Sequence, residues 1–265
     1  MGSIPDKTVT NTANMDDLGY TPNIKVSEPW TVEKAMEHVD KGKSFEGTPI
    51  AFFHILERLK TTKREGWRRF GINRGESIAD HMYRMSLISM FAPPTLAPKL
   101  DMAKCMKMCL IHDMAELLVG DITPVDGVPK PEKSRRETTT MEYLTKTLLG
   151  GVHNGVTGEH IMEIWQEYED SQTLDSHFIH DVDKIELLLQ MNEYERRSQR
   201  AIDLGEFAWV SNKVTLPEMK EWAAALVKER EEFWAGQTTV HGQNGVDGGL
   251  NETEIAQRDE YYKRD

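Results

Sequence analysis

From Ile50 onward, apolar residues recur every three to four positions. Between 50 and 59 they occupy positions 52, 53, 55, 56 and 59, and between 78 and 90 they fall at 78, 82, 85 and 88. One-sided spacing of this kind predicts amphipathic helices. Ser77 stands where a cap for the second of these is needed, and Asp101 caps a third that runs to about Val119, where Gly120 and then Pro124 stop it. Further helical stretches are expected near 131–149, 158–169 and 173–198. A last one follows Pro217, with Met219, Trp222, Leu226 and Phe233 on one side. No strand-like alternation competes, so the pattern predicts an all-α bundle of six to eight helices without an internal repeat.

The pattern fades at both ends. Residues 1–46 are rich in Thr, Asn, Asp, Lys and Pro with no sustained period, and read as a mobile, mostly irregular tail in which 30–39 is a candidate helical stretch. After about Gly236 the chain becomes Gly-rich and then highly charged. Such a segment buries too little apolar surface to order itself, so 237–265 reads as a disordered tail. One domain over 47–236 is left between them. At 265 residues with 38% hydrophobic residues, the chain is long and apolar enough for one such core.

Charge and leader signals narrow the setting. A net charge of −12 argues against a nucleic-acid polymer or an anionic membrane surface as partner, though not against a small phosphate ligand in a locally basic pocket. No apolar run approaches the ~20 residues needed to span a bilayer. The N-terminus lacks the charged start and apolar stretch of a signal peptide, and Asp6 breaks the myristoylation pattern. A cytosolic or nuclear setting is expected. Cys105 and Cys109, the only two cysteines, lie one helical turn apart and read as buried thiols.

The chemistry concentrates at His112-Asp113, with Glu116 one turn on and Asp121 just past the helix-ending glycine. Neighbours on an α-helix diverge by about 100°, so an ion held by both would sit in the wedge between them, with Glu116 hanging over it. Closing the shell needs other helices. His81 is the upstream candidate, and the run from Phe178 to Glu186 offers several downstream acids. Two imidazoles and two carboxylates suit Mn²⁺, Fe²⁺, Co²⁺ or Zn²⁺ better than Mg²⁺. An ion so held polarises a phosphoryl oxygen and lowers the pKa of bound water, and Glu116 can move a proton. A His-Asp dipeptide alone is ordinarily a solvated carboxylate beside a helix-end histidine, so the joint arrangement carries the reading. Met82, Met85, Met90, Met102, Met106 and Met108 read as core. His38, His54, His153, His160, His177, His180 and His241 follow no ligand spacing.

His81, then His112-Asp113, then a distant Asp on a later helix resembles the HD superfamily of metal-dependent phosphohydrolases. Gly66-Trp67, Glu76-Ser-Ile-Ala-Asp-His-Met-Tyr-Arg-Met85, His112-Asp-Met-Ala-Glu116, Gly120-Asp-Ile-Thr-Pro124 and Asp181-Val-Asp-Lys-Ile-Glu186 look like the eukaryotic HD domain-containing protein 2 group, itself similar to bacterial 5′-deoxynucleotidases. The likeness spans about residues 47–235. It implies an HD-domain helical bundle holding one divalent ion on His81, His112, Asp113 and Asp183, and a homodimer. Trp209, Trp222 and Trp234 are candidates for its interface, although core packing is the commoner fate of such residues. The implied reaction is hydrolysis of deoxyribonucleoside 5′-monophosphates to deoxynucleoside and phosphate by attack of metal-bound water. Glu116 would act as acid/base and Asp121 would meet the sugar and phosphate region. Asp121, Ile122, Thr123 and Pro124 would line the substrate pocket, and Trp67 would pack on the sugar.

Two points stay open in the sequence. Bacterial relatives place a phosphate-holding arginine directly before that tryptophan. Here Gly66 stands there, leaving Arg64 or Lys63 as substitutes against the alternative of a solvated basic turn. The helical wheel over 178–189 also puts Asp181 nearer the core face than Asp183, whereas the resemblance selects Asp183. Competing activities are a guanosine-tetraphosphate hydrolase, disfavoured by Leu117 where those enzymes carry a second acid, and a cyclic-nucleotide hydrolase, disfavoured by the lack of further paired histidines. A non-catalytic, metal-stabilised binding protein is the alternative from outside enzymology.

Overall fold

Residues 22, 24, 29–37, 39, 42, 45–236 and 251–261 are described by the structure, a computed structural model; most of the two sequence-assigned tails lies outside these residues. Chain order runs α1 (Val32–Met36), α2 (Ile50–Leu56), α3 (Arg58–Thr61), α4 (Glu65–Arg68), α5 (Ile78–Ser89), α6 (Met102–Ile111), α7 (Glu116–Val119), α8 (Lys130–Glu142), α9 (Val156–Asp170), α10 (Leu174–Arg197), α11 (Pro217–Trp234) and α12 (Glu252–Tyr261). The all-α expectation holds. Among the described residues the one departure from helix and loop is an isolated antiparallel bridge between Lys63 and Ser77.

Local chemistry places the helix ends where the sequence put them. Ser77 and Asp80 form a reciprocal capping box at the start of α5. The Asp101 carboxylate accepts from the Lys104 amide at 3.0 Å to open α6. Gly120 ends α7 at φ +83°, a region that penalises any Cβ, and a side chain there would meet Pro22 and Ile24 at 3.2 and 3.1 Å. α8 continues without a break into a π-helical run, Tyr143–Leu148.

α10 is the central strut. α5, α6, α9 and α11 all pack against it, and α5 and α6 lie along each other. Their apolar stripes meet in one core that includes Met82, Met85, Met108, Leu117, Phe178, Val182, Ile185 and Leu188, each at most 3% exposed. Met90 departs from the expected core set at 56% exposed, because it follows the last turn of α5. Cys105 and Cys109 are free and buried, as expected.

Three elements differ from the sequence reading. Part of the expected N-terminal tail joins the core: Trp30, Val32 and Met36 are buried, and Arg135 and Arg136 of α8 donate to the carbonyls of Trp30 and Ile24. The last ten of the described residues, in the expected C-terminal tail, form α12, where the Arg258 guanidinium lies 4.7 Å from the Trp209 ring centre. A 3₁₀ run, Gly205–Lys213, packs on α10 in a stretch to which the periodicity assigned no element. Among the described residues no helix is long and apolar enough to cross a membrane.

Candidate metal centre and active site

The helix expected to run from Asp101 to Val119 is broken where the chemistry lies. α6 stops at Ile111, and His112–Ala115 form a tight turn before α7. Its amides bond three residues back: Met114 to Ile111 (2.9 Å), Glu116 to Asp113 (3.0 Å) and Leu117 to Met114 (3.3 Å). Three-residue spacing is 3₁₀ geometry, in which positions i and i+3 eclipse. Asp113 and Glu116 are thereby brought over the same spot more closely than an α-helix would bring them.

α5 supplies His81 and α10 supplies Asp183. His81 Nε2 lies 3.2 Å from Asp183 Oδ1 and 3.8 Å from Asp113 Oδ2, while His112 Nε2 lies 3.2 Å from Asp113 Oδ2. Ligand atoms of His81, His112 and Asp113 all fall within 4.8 Å of one another. Both imidazoles have their Nδ1 committed elsewhere. His81 Nδ1 is 2.6 Å from Glu186 Oε2, and His112 Nδ1 is 2.9 Å from the Cys109 carbonyl oxygen. That arrangement leaves both Nε2 lone pairs facing the cluster, and both atoms are buried without a hydrogen-bond partner. Buried orphans are costly, so two aimed at the same carboxylates mark a place built for a cation. Atoms sharing one ion at bonds of about 2.1 Å stand roughly 3–3.5 Å apart, which matches the 3.2 Å pairs. The donor set, two imidazoles and two carboxylates, fits a borderline divalent ion.

Electrostatics shows the same demand. Burial and the Arg64 guanidinium oppose a charge on His81, yet Glu186 and Asp183 outweigh them and carry its pKa up to about 10 in the metal-free protein. Burial also works against ionised Asp113 and Asp183. Even so, His112, Arg64 and His81 hold the first well below the ordinary carboxylate range, and His81 does the same for the second. Glu116 goes the other way: burial, then Asp113 and Asp121, push its carboxyl well above the usual range against the pull of Arg64 and Lys133. Its Oε2 is buried without a hydrogen-bond partner.

Packing distinguishes the alternatives at both points left open by the sequence. Asp181 is fully buried and accepts from the amides of Thr215 (2.9 Å) and Leu216 (2.7 Å), capping α11 from across the fold. It is thereby used up, and Asp183 faces the site. For the basic turn, residues 62–64 pair with 76–78, so the turn carrying Arg64 is tied to the start of α5. Arg64 Nη1 reaches Asp113 Oδ2 at 3.2 Å, Asp121 Oδ1 at 3.3 Å and Glu116 Oε2 at 4.0 Å. Gly66 packs under Phe207, where an added Cβ would meet the ring at 3.4 Å, so a side chain there would point away from the cluster.

The expected substrate residues separate. Asp121 accepts from the Glu65 amide at 2.6 Å as well as from Arg64. Thr123 and Pro124 are half-buried beside it, and Asp126 Oδ2 accepts from the Thr123 amide and hydroxyl, both at 2.7 Å. Ile122 is buried in the core. Trp67 is a correction to the expected sugar contact. It is 2% exposed, covered by Phe207 and Tyr194 at ring distances of 4.6 and 5.4 Å. The physical reason is the 3₁₀ run at 205–213, which lays Phe207 over the indole. Its N–H donates to Glu76 Oε1 at 2.7 Å, and Glu76 has a carboxylate oxygen within 4.8 Å of a ring nitrogen of His81.

Glu186 was missed as an orienting residue. It lies one turn beyond Asp183 on α10 and ties His81 to Arg84, whose Nε donates to Glu186 Oε1 at 2.7 Å. The i+3 spacing after Asp183 was the available signal.

The HD domain family matches residues 56–223 of this chain. The chain is 41% identical over 186 residues to 5′-deoxynucleotidase hdd1 of Schizosaccharomyces pombe, covering 70% of this chain and 92% of that protein. It is 34% identical over 182 residues to 5′-deoxynucleotidase HDDC2 of Homo sapiens, covering 68% and 85%. Among solved structures, HD domain-containing protein YGK1 (YGL101W) superposes with a TM-score of 0.54 at 31% identity, covering 70% of this chain and 86% of the other.

Proposed function

Since this chain belongs to the HD domain family, we propose that it is a metal-dependent 5′-deoxynucleotidase, a phosphoric monoester hydrolase acting on deoxyribonucleoside 5′-monophosphates. The observation that carries the reading is the pair of orphaned Nε2 atoms of His81 and His112 aimed at Asp113, with buried Glu116 and half-buried Arg64 alongside. Relatives named 5′-deoxynucleotidase, at 33–41% identity, support it.

His81, His112, Asp113 and Asp183 would hold one divalent ion, with Mn²⁺, Fe²⁺, Co²⁺ or Zn²⁺ favoured over Mg²⁺ by the imidazoles. Bound there, the ion supplies Lewis acidity at the phosphoryl group and makes water a stronger nucleophile. Glu116 takes a proton from the water as its oxygen adds to phosphorus and returns it to the 5′ oxygen as the phosphorus–oxygen bond breaks, releasing the deoxynucleoside and phosphate. Arg64 presents its guanidinium to the phosphate, and Asp121 fixes Arg64 and the turn behind it. Asp121, Thr123 and Pro124 form the pocket wall. Leu117, fully buried in the core, offers no second acid of the kind a tetraphosphate hydrolase uses.

The test is a substrate panel on purified protein. Deoxynucleoside monophosphates should release phosphate with added Mn²⁺ or Co²⁺, chelation should stop it, and ribonucleotides, cyclic nucleotides and guanosine tetraphosphate should be poorer. Absence of phosphate release with every metal and substrate would leave only a metal-stabilised binding protein.

We propose a cytosolic or nuclear location, which imaging of the tagged protein checks. Pairing of two chains is better served by α5 than by the tryptophans. Trp234 is buried, Trp222 packs on the core and Trp209 lies against Lys213 and Arg258, whereas Tyr83, Leu87, Met90 and Phe91 make an exposed apolar stripe. Sedimentation of Phe91→Asp against the parent distinguishes dimer from monomer.

A further inference from the structure

A phosphate monoester carries nearly two negative charges at neutral pH, and Arg64 is already spread over Asp113 and Asp121. A second cation stands on α8. Lys133 lies one turn into that helix, and α8 packs against α7, which begins with Glu116. Its side chain is held in, at 19% exposed, with Nζ 3.6 Å from Glu137 Oε1, a carboxylate that is itself only 13% exposed. Lys146, in the π-helical run that continues α8, shows the contrast: it pairs with Glu142 at 68% exposed, as a surface lysine does.

The neighbours of Lys133 locate it. Its charge acts on Glu116 of α7, Glu137 of α8 and Glu169 of α9, and each of those carboxyls also feels Asp113. Packed on α7 and partly drawn in from solvent, Lys133 therefore stands on the side of the fold from which Glu116 approaches Asp113. Glu137 at 3.6 Å offsets part of the cost of drawing this ammonium out of water. As a compact point charge on a flexible stem, the ammonium can follow a phosphate oxygen through the reaction where the rigid guanidinium of Arg64 cannot.

We propose that Lys133 is a substrate-binding residue that holds a non-bridging phosphate oxygen of the 5′-nucleotide from the α8 side, as the second cation beside Arg64. The proposal deepens the deoxynucleotidase reading and rests on it for the identity of the substrate.

The test compares Lys133→Met, Lys133→Arg and the surface control Lys146→Met in the full-length, metal-loaded protein, with metal content and melting temperature measured for each. KM for a deoxynucleoside monophosphate and the inhibition constant of inorganic phosphate should both rise at least 10-fold in Lys133→Met. They should recover to within about 3-fold of the parent in Lys133→Arg and stay unchanged in Lys146→Met. Phosphate affinity unaltered in Lys133→Met, even with kcat reduced, overturns the proposal, because Lys133 would then act on Glu116 alone. Direct calorimetric titration with inorganic phosphate reads the same difference with no turnover. A parent protein that binds phosphate through Lys133 yet hydrolyses no deoxynucleotide would refute the functional reading and leave this one standing.

Discussion

His81 Nδ1 and Glu186 Oε2 stand 2.6 Å apart in the interior, both fully buried. That contact sets which nitrogen of His81 carries the proton and which faces Asp113 and Asp183. Glu186 is fixed in turn by Arg84, so a chain of contacts runs from the half-buried guanidinium of Arg84 on α5 through Glu186 of α10 to His81 at the candidate metal centre. Glu186→Gln, which keeps the shape but removes the charge, is expected to weaken metal binding by about 10- to 100-fold. Calorimetric titration with Mn²⁺ or Co²⁺ checks it; unchanged affinity would remove Glu186 from the centre.

Glu116 and Arg64 are neighbours with separable roles. Glu116→Gln should lower kcat by about 10²–10⁴-fold, the usual worth of a positioned acid/base, while bound metal stays stoichiometric. Arg64→Met should cost on the order of 10²–10³-fold in kcat through lost stabilisation of the transferring phosphoryl group. Steady-state kinetics beside metal analysis separates these outcomes. Loss of metal in Glu116→Gln would refute the role given to Glu116.

Asp181 and Asp183 are two residues apart on α10 and should fail in opposite ways. Asp181→Asn replaces a buried carboxylate acceptor at the start of α11 and should cost about 1–3 kcal/mol of stability, read as a melting temperature several degrees lower, with metal affinity near the parent value. Asp183→Asn should lower metal affinity by at least about 10-fold, with little change in the melting of the metal-free protein. The reverse pattern would exchange the assignments.

Burial pushes the Cys109 thiol up to about 12 and raises that of Cys105 further. A raised thiol pKa keeps the unreactive protonated form through pH 8. Ellman's reagent at pH 8 should therefore find no fast thiol in the native protein and both after unfolding in guanidinium chloride. A fast native thiol would show that α6 opens locally.

Much of the bundle was legible in the sequence because its signals are local. The apolar period, the side-chain oxygens of Ser77 and Asp101, and the freedom of Gly120 act within a turn or two of themselves, and their positions agree with the structure. The order His81, His112-Asp113 and a later aspartate pointed to a candidate ion centre for the same reason: it needs only residue types at given places.

What the chain order alone left undecided depends on contacts between distant residues. Asp181 and Asp183 are equivalent as types. Only the approach of Thr215 and Leu216, 34 and 35 residues later, consumes the first and frees the second. Arg64 rather than Lys63 meets Asp113 and Asp121 because residues 62–64 pair with 76–78. Trp67 lies in the core because Phe207 covers it, and Phe207 comes from a 3₁₀ run with no amphipathic period to betray it. Periodicity tells which face of a helix is buried; which groups across the core claim each side chain is set by packing, and that exists only once the chain has folded.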